Sequence, residues 1–186
     1  MEFLENHSAW IAFLVTAVVA SIAAVIDFRR FRVPNVLTFP LCFSGLVFHT
    51  LVHRLSGLQY SAGGITAGFL VLLVFYVMGV MGAGDVKLLA AVGAWIGAAN
   101  TLCVFAVAGI AAGVHALVVL GLQRRLGEIP VILQITFSDL FSLARHLGAS
   151  ESAALGTVVQ RADRRRHVMP FAVMIAIGVV GVAVWT

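Results

Sequence analysis

Apolar residues fill this chain in long runs, interrupted by a few short polar clusters and one long polar stretch. A helix that crosses the hydrocarbon core of a bilayer needs roughly 20 mostly apolar residues, and a shorter one is tolerated inside a bundle. By that measure six segments are predicted to span. They run from about Ala9 to Ile26, Val36 to Val52, Gly63 to Met81, Val86 to Ala99, Thr101 to Leu122 and Val168 to Trp185. The fourth is short, pressed between Gly82-Ala83-Gly84 and Asn100, and its alternative is a re-entrant or broken unit shared with the fifth. The expected fold is an all-α polytopic helix bundle, a single membrane-embedded domain over residues 1–186.

The long polar stretch, 123–167, is expected to be a cytoplasmic loop inserted between spans five and six. Within it Phe137, Leu140, Phe141, Ala144 and Leu147 recur at helical spacing, with Ser138, Asp139, Arg145 and His146 on the other face. That pattern predicts an amphipathic helix lying on the membrane surface. Gly148 to Gln160 reads as a flexible connection, and Arg164-Arg165-Arg166 as an anchor for the last span. Glycines at small-residue spacing, Gly109/Gly113 and Gly178/Gly181, are expected to mark close helix packing in lipid.

Composition removes the soluble alternative. With 61% hydrophobic and 11% charged residues, a soluble domain of 186 residues has too little interior for its apolar surface. The net charge of +4 therefore reads as membrane orientation and not as affinity for nucleic acid. The chain opens with Glu2 and Glu5 rather than the basic region of a cleavable signal peptide, and its first basic cluster follows span one. With the N-terminus outside, the loops at 27–35, 82–87 and 123–167 hold eleven of the twelve Lys and Arg residues, leaving Arg54 alone on the outer side. Cys42 and Cys103 both lie in apolar runs with no CxxC pair, which points to buried thiols and neither a structural zinc site nor a disulfide.

Ionisable groups within or beside a span need an explanation. Asp27 directly follows the first apolar run and opens Asp27-Phe28-Arg29-Arg30-Phe31-Arg32-Val33-Pro34-Asn35, whose Pro-Asn pair reads as a turn. Its structural alternative is a cap or an ion pair with Arg29 or Arg30. Asp85 sits in Gly82-Ala83-Gly84-Asp85-Val86-Lys87, where the glycines predict a tight start to a helix lining a water-accessible site. Its structural alternative is an N-cap followed by a snorkelling Lys87. Both aspartates fall on the cytoplasmic face, although orientation was argued without them. Two carboxylates at one depth form a dyad if their helices adjoin. Such a pair holds one proton between them, one group acting as general acid while the other activates water. His49 and His53, at i and i+4, have ligand spacing but no obvious third ligand, so no metal is expected there. His115 is expected to make a helix–helix hydrogen bond.

In three ordered places the chain resembles the type IV prepilin peptidase family. They are Asp27 to Asn35, the Gly-x-Gly-Asp segment from Gly82 to Gly97, and Met169-Pro170-Phe171-Ala172 at the start of the last span. The resemblance implies cleavage of a basic leader from prepilin or pilin-like precursors at the cytoplasmic face. It implies Asp27 and Asp85 as catalytic residues, no cofactor, and Pro34, Asn35, Gly82, Gly84, Lys87 and Pro170 as substrate-binding or site-shaping residues. Many members also carry an N-terminal region with paired cysteines and methylate the new N-terminus. This chain begins almost directly in span one, so its expected likeness is to the compact peptidases of Flp, or tight-adherence, pili, acting without N-methylation in the bacterial cytoplasmic membrane. Two other classes stand beside this one. They are a small transporter or proton-coupled channel using both aspartates, and a non-catalytic component of pilus or secretion assembly. No inverted repeat supports the first.

Overall fold

The computed structural model describes residues 2–30, 33–77, 81–122 and 171–185. The predicted amphipathic helix, the Arg164–Arg166 run and Pro170 lie outside them. All regular structure in the described residues is helical: α1 (Glu2–Arg30), α2 (Asn35–Val77), α3 (Ala83–Leu122) and α4 (Phe171–Trp185). Three stretches, Trp10–Arg29, Asn35–Val77 and Ala83–Val119, are long and apolar enough to cross a membrane, and Phe171–Trp185 is a shorter apolar helix. The protein is an integral membrane protein.

Two of these helices are hairpins. In α2 the backbone leaves helical geometry at Arg54 (φ 53°, ψ −127°), and in α3 at Gly97 (φ 74°, ψ 173°). Sixteen residues of straight helix would rise about 24 Å. Yet the Ser61 hydroxyl donates to the Gly45 carbonyl at 3.3 Å, so α2 folds back at Arg54 and its arms lie side by side. The predicted second and third spans are these arms, but the turn is tighter than expected, with helix resuming directly after Arg54 and not at Gly63. The fourth and fifth predicted spans are likewise arms of α3. Their break falls at Gly97 instead of Asn100, and α1 starts at Glu2 rather than Ala9.

Small residues let the arms approach. A Cβ on Gly64 would collide with the Gly93 carbonyl oxygen, and one on Gly68 would stand 2.6 Å from that of Leu89. Gly97 needs both its positive φ and its lack of side chain, because the Tyr60 ring occupies the space of a Cβ. Of the glycines singled out in the sequence, Gly178 packs tightly, 2.6 Å from a Cβ to the Val104 carbonyl oxygen, and Gly181 makes ordinary contact with Val107. Among the described residues Gly109 and Gly113 meet nothing within 4 Å, so the close packing expected of that pair is not seen there. They lie on the outer arm of α3, away from the α2 interface.

The first arm of α3, 83–96, is the centre of the bundle. Every residue from Leu88 through Gly97 is buried, as are Asp85 and Val86. At about 21 Å this arm is shorter than the roughly 30 Å hydrocarbon core. Its last carbonyls therefore end at membrane depth, where an unsatisfied backbone group costs several kcal/mol. Side chains from α2 supply the missing donors. Ser61 donates to the Ala94 carbonyl at 2.7 Å, His49 Nε2 to that of Trp95 at 2.8 Å, and the Tyr60 hydroxyl to that of Ile96. Large apolar side chains instead face outward in stripes, as Leu14, Val18, Ile22 and Val25 do on α1. That is the surface a bilayer covers. His115 is exposed on the outer arm of α3, and the helix–helix hydrogen bond expected of it is not formed among the described residues.

Candidate active site

The buried face of α1 is a stripe of small residues, Ala12, Thr16, Ala20, Ala23 and Ala24, that ends one turn later in Asp27. The stripe lets α4 and α3 pack closely, and the same helical phase turns Asp27 inward. Asp27 is only 7% exposed although it stands at the end of its helix. Among the described residues it forms no ion pair, and Arg29 points outward. Its carboxylate instead accepts a hydrogen bond from the backbone N–H of Ala172, in the first turn of α4. That N–H is one of the donors a helix N-terminus leaves without an internal partner.

Asp85 occupies the first turn of α3 and is also 7% exposed. Its carboxylate accepts from the backbone N–H of Gly82, while its own N–H donates to the Gly82 carbonyl at 3.2 Å. This reciprocal pair is akin to a capping box, and it fixes both the helix start and the side-chain direction. The N-cap alternative thus holds in part: Asp85 helps to close the helix start, and it is also buried beside a second acid. Asp27 and Asp85 stand close enough for their charges to act on one another.

The segments around the two acids touch. Val33 is buried against Gly84, where a Cβ would lie 3.2 Å from the Val33 Cβ and 3.3 Å from its nitrogen. A Cβ on Gly82 would stand 3.6 Å from Asp85 Oδ2. Neither glycine has a positive φ, so close approach is what requires them. Pro34 begins the first turn of α2 by accepting from the Leu37 N–H at 3.0 Å. Lys87 Nζ donates to Asn35 Oδ1 at 3.1 Å across the exposed rim. Pro34, Asn35, Gly82, Gly84 and Lys87 thus gather at the end of the bundle that holds both acids. Pro170 lies outside the described residues, but Ala172, two residues on, touches Asp27. Sequence reading missed that backbone donor, because a main-chain contact leaves no residue-type signal. Among the described residues no group of three or more His, Cys, Asp or Glu gathers as a metal site.

The family model described as the type IV leader peptidase family matches residues 14–117, which include both aspartates and the whole α2 hairpin. The chain belongs to the type IV leader peptidase family. A prepilin leader peptidase/N-methyltransferase of Escherichia coli K12 is 39% identical over 110 residues, 55% of this chain and 48% of that protein. Proteins of the same name from Dickeya chrysanthemi and Aeromonas hydrophila are each 41% identical, over 81 and 93 residues. Those matches cover 40% and 46% of this chain, and 28% and 31% of the relatives. The chain thus spans about half the length of the first relative and under a third of the other two. No solved structure matches it significantly.

Proposed function

We propose that this protein is a membrane aspartyl endopeptidase that removes the leader peptide from prepilin or pilin-like precursors. What supports the reading is that Asp27 and Asp85, far apart in sequence, are both buried at one end of the bundle, near enough for the charge of Asp27 to act on Asp85. A carboxylate pair of this kind holds one proton. The ionised group takes a proton from water as it attacks the scissile carbonyl, and the protonated group donates to the developing oxyanion. On collapse the first group gives its new proton to the departing amine, and the second takes a proton back from the tetrahedral carbon's hydroxyl as the new carboxyl forms, which restores the pair. The two roles belong to the dyad as a unit.

Each hairpin arm is read as one crossing, which with α1 and α4 makes six. The acids then lie at the cytoplasmic face of a bacterial inner membrane, with the N-terminus and Arg54 outside. Arg29 and Lys87 are exposed at the acids' end, in accord with the positive-inside rule. They also repel a basic leader, so recognition rests on the precursor's apolar helix entering between the helices, with membrane lipid as its surroundings. The 123–167 segment belongs to the same domain as a cytoplasmic insertion. The substrate is of Flp type, and the product is left unmethylated. Cys42 is half-buried on α2 and Cys103 is exposed on α3, so the burial expected of Cys103 is not met.

The test is to incubate the protein in proteoliposomes with an Flp-type precursor and S-adenosylmethionine and to weigh the product. The expected mass is that of the precursor less its leader, with a free, unmethylated N-terminus. An uncut precursor beside a correctly folded protein contradicts the peptidase reading, and an added methyl group contradicts the narrower one.

A further inference from the structure

The two acids are carried by different helix pairs. Asp85 stands on the first arm of α3, which is bound to α2. There Trp95 Nε1 donates to the Leu41 carbonyl at 2.8 Å, and a Cβ on Gly45 would stand 2.7 Å from the Trp95 ring. Asp27 stands on α1, which packs chiefly on α4 and only sparsely on α2 and α3. In turn α4 is seated on the outer arm of α3, where a Cβ on Gly178 would lie 2.6 Å from the Val104 carbonyl oxygen and 3.4 Å from the Ala108 Cβ. The place of Asp27 relative to Asp85 therefore depends on α4.

Asp27 lies in the last turn of α1, where helices fray and no following turn steadies a side chain. Its own helix thus leaves the carboxylate free to turn. Among the described residues that carboxylate accepts one hydrogen bond, from the Ala172 N–H. Ala172 is fully buried in the first turn of α4, with Phe171 and Met174 buried beside it. An N–H in a first helical turn has no partner in its own helix. It also lies at the positive end of the helix dipole, so a carboxylate there is held by charge as well as by the bond.

We propose that Ala172 is a positioning residue of the dyad: its main-chain N–H aims the Asp27 carboxylate at the site shared with Asp85. On the peptidase reading, on which this rests, α4 is then a wall of the active site and not only a span. The donor is main chain, so replacing the side chain does not reveal it. Ala172→Gly keeps the N–H and should cleave at close to the wild-type rate.

The experiment replaces the Ala172 N–H by an ester oxygen, with lactic acid introduced at that position of the full chain by nonsense suppression. The α-hydroxy analogue of Val173 is the control, since its N–H also lies outside the helix ladder and its ester weakens the preceding carbonyl in the same way. At saturating precursor the single-turnover rate should fall about 10- to 100-fold for the 172 ester and stay near wild type for the 173 ester. The half-saturating precursor concentration should not change in either. Unfolding midpoints check that each protein is folded. Ala172→Pro, which also lacks the N–H and is tolerated in a first turn, serves if the ester does not fold. The midpoints also read the contact without any cleavage: the 172 ester should lower the midpoint more in wild type than in Asp27→Ala. A 172 ester that cuts like the 173 control, or that lowers both midpoints equally, overturns this proposal alone. A folded wild type that leaves the precursor uncut overturns the peptidase reading and the positioning role with it.

Discussion

Neighbouring glycines on the second arm of α2 should respond in opposite ways to a single methyl group. A Cβ on Gly64 collides with the Gly93 carbonyl oxygen and stands 3.0 Å from the Gly97 Cα, whereas one on Gly63 finds only the Ala98 Cβ, at 4.0 Å. The obstacle at Gly64 is backbone, which cannot rotate away, so the arms must part by roughly 1 Å or more to restore ordinary contact. Over-packing of this kind costs about 1–3 kcal/mol. Gly→Ala in a helix returns about 0.5–1 kcal/mol. Gly64→Ala should therefore lose up to about 2.5 kcal/mol, and Gly63→Ala should be neutral or gain up to about 1 kcal/mol. Gly93→Ala meets the Gly64 carbonyl oxygen and should resemble Gly64→Ala. The double variant should lose less than the sum, because arms already parted accommodate the second methyl. Reversible unfolding in mixed micelles against SDS mole fraction gives the free energies. Trp95, 5% exposed, is the natural fluorescent reporter once the exposed Trp10 and Trp185 are replaced by Phe. Equal midpoints for Gly63→Ala and Gly64→Ala would refute the packing of α2 on α3.

Further outcomes follow from the same contacts. Ser61→Ala removes the donor to the Ala94 and Gly45 carbonyls and should cost about 1 kcal/mol in that unfolding assay. Gly109→Ala and Gly113→Ala, which meet nothing among the described residues, should stay within about 0.5 kcal/mol of wild type. Lys87→Met should cost under about 1 kcal/mol, since its bond to Asn35 is exposed, and adding Asn35→Ala should cost nothing more. A full additional loss in the double variant would show that the two side chains act separately.

Much of this arrangement was legible along the chain. Apolar runs located every helical arm, because a bilayer demands unbroken apolar length. Asp27 and Asp85 stood out because acids beside such runs are rare. The turns were less legible. Arg54 marked the first break through its charge, but Gly97 looks like any packing glycine. Its role appears only when Tyr60, distant in sequence, lies against it. The carbonyl caps from Ser61, His49 and Tyr60 were likewise hidden, since their partners are backbone atoms whose exposure depends on where the short arm ends. Gly109 and Gly113 misled for the converse reason: small-residue spacing shows that two helices can approach, not that a partner is there.

The central claim is that Asp27 and Asp85 work as one catalytic unit. The most direct measurement is the single-turnover rate of precursor cleavage by Asp27→Asn, Asp85→Asn and the double variant, each shown to be folded by its unfolding midpoint. Residues that act as a unit are non-additive, so removing either should do the damage of removing both. The account predicts that all three fall to the same floor. Near-normal cleavage by either single variant, or two partial losses that add in the double, would contradict it.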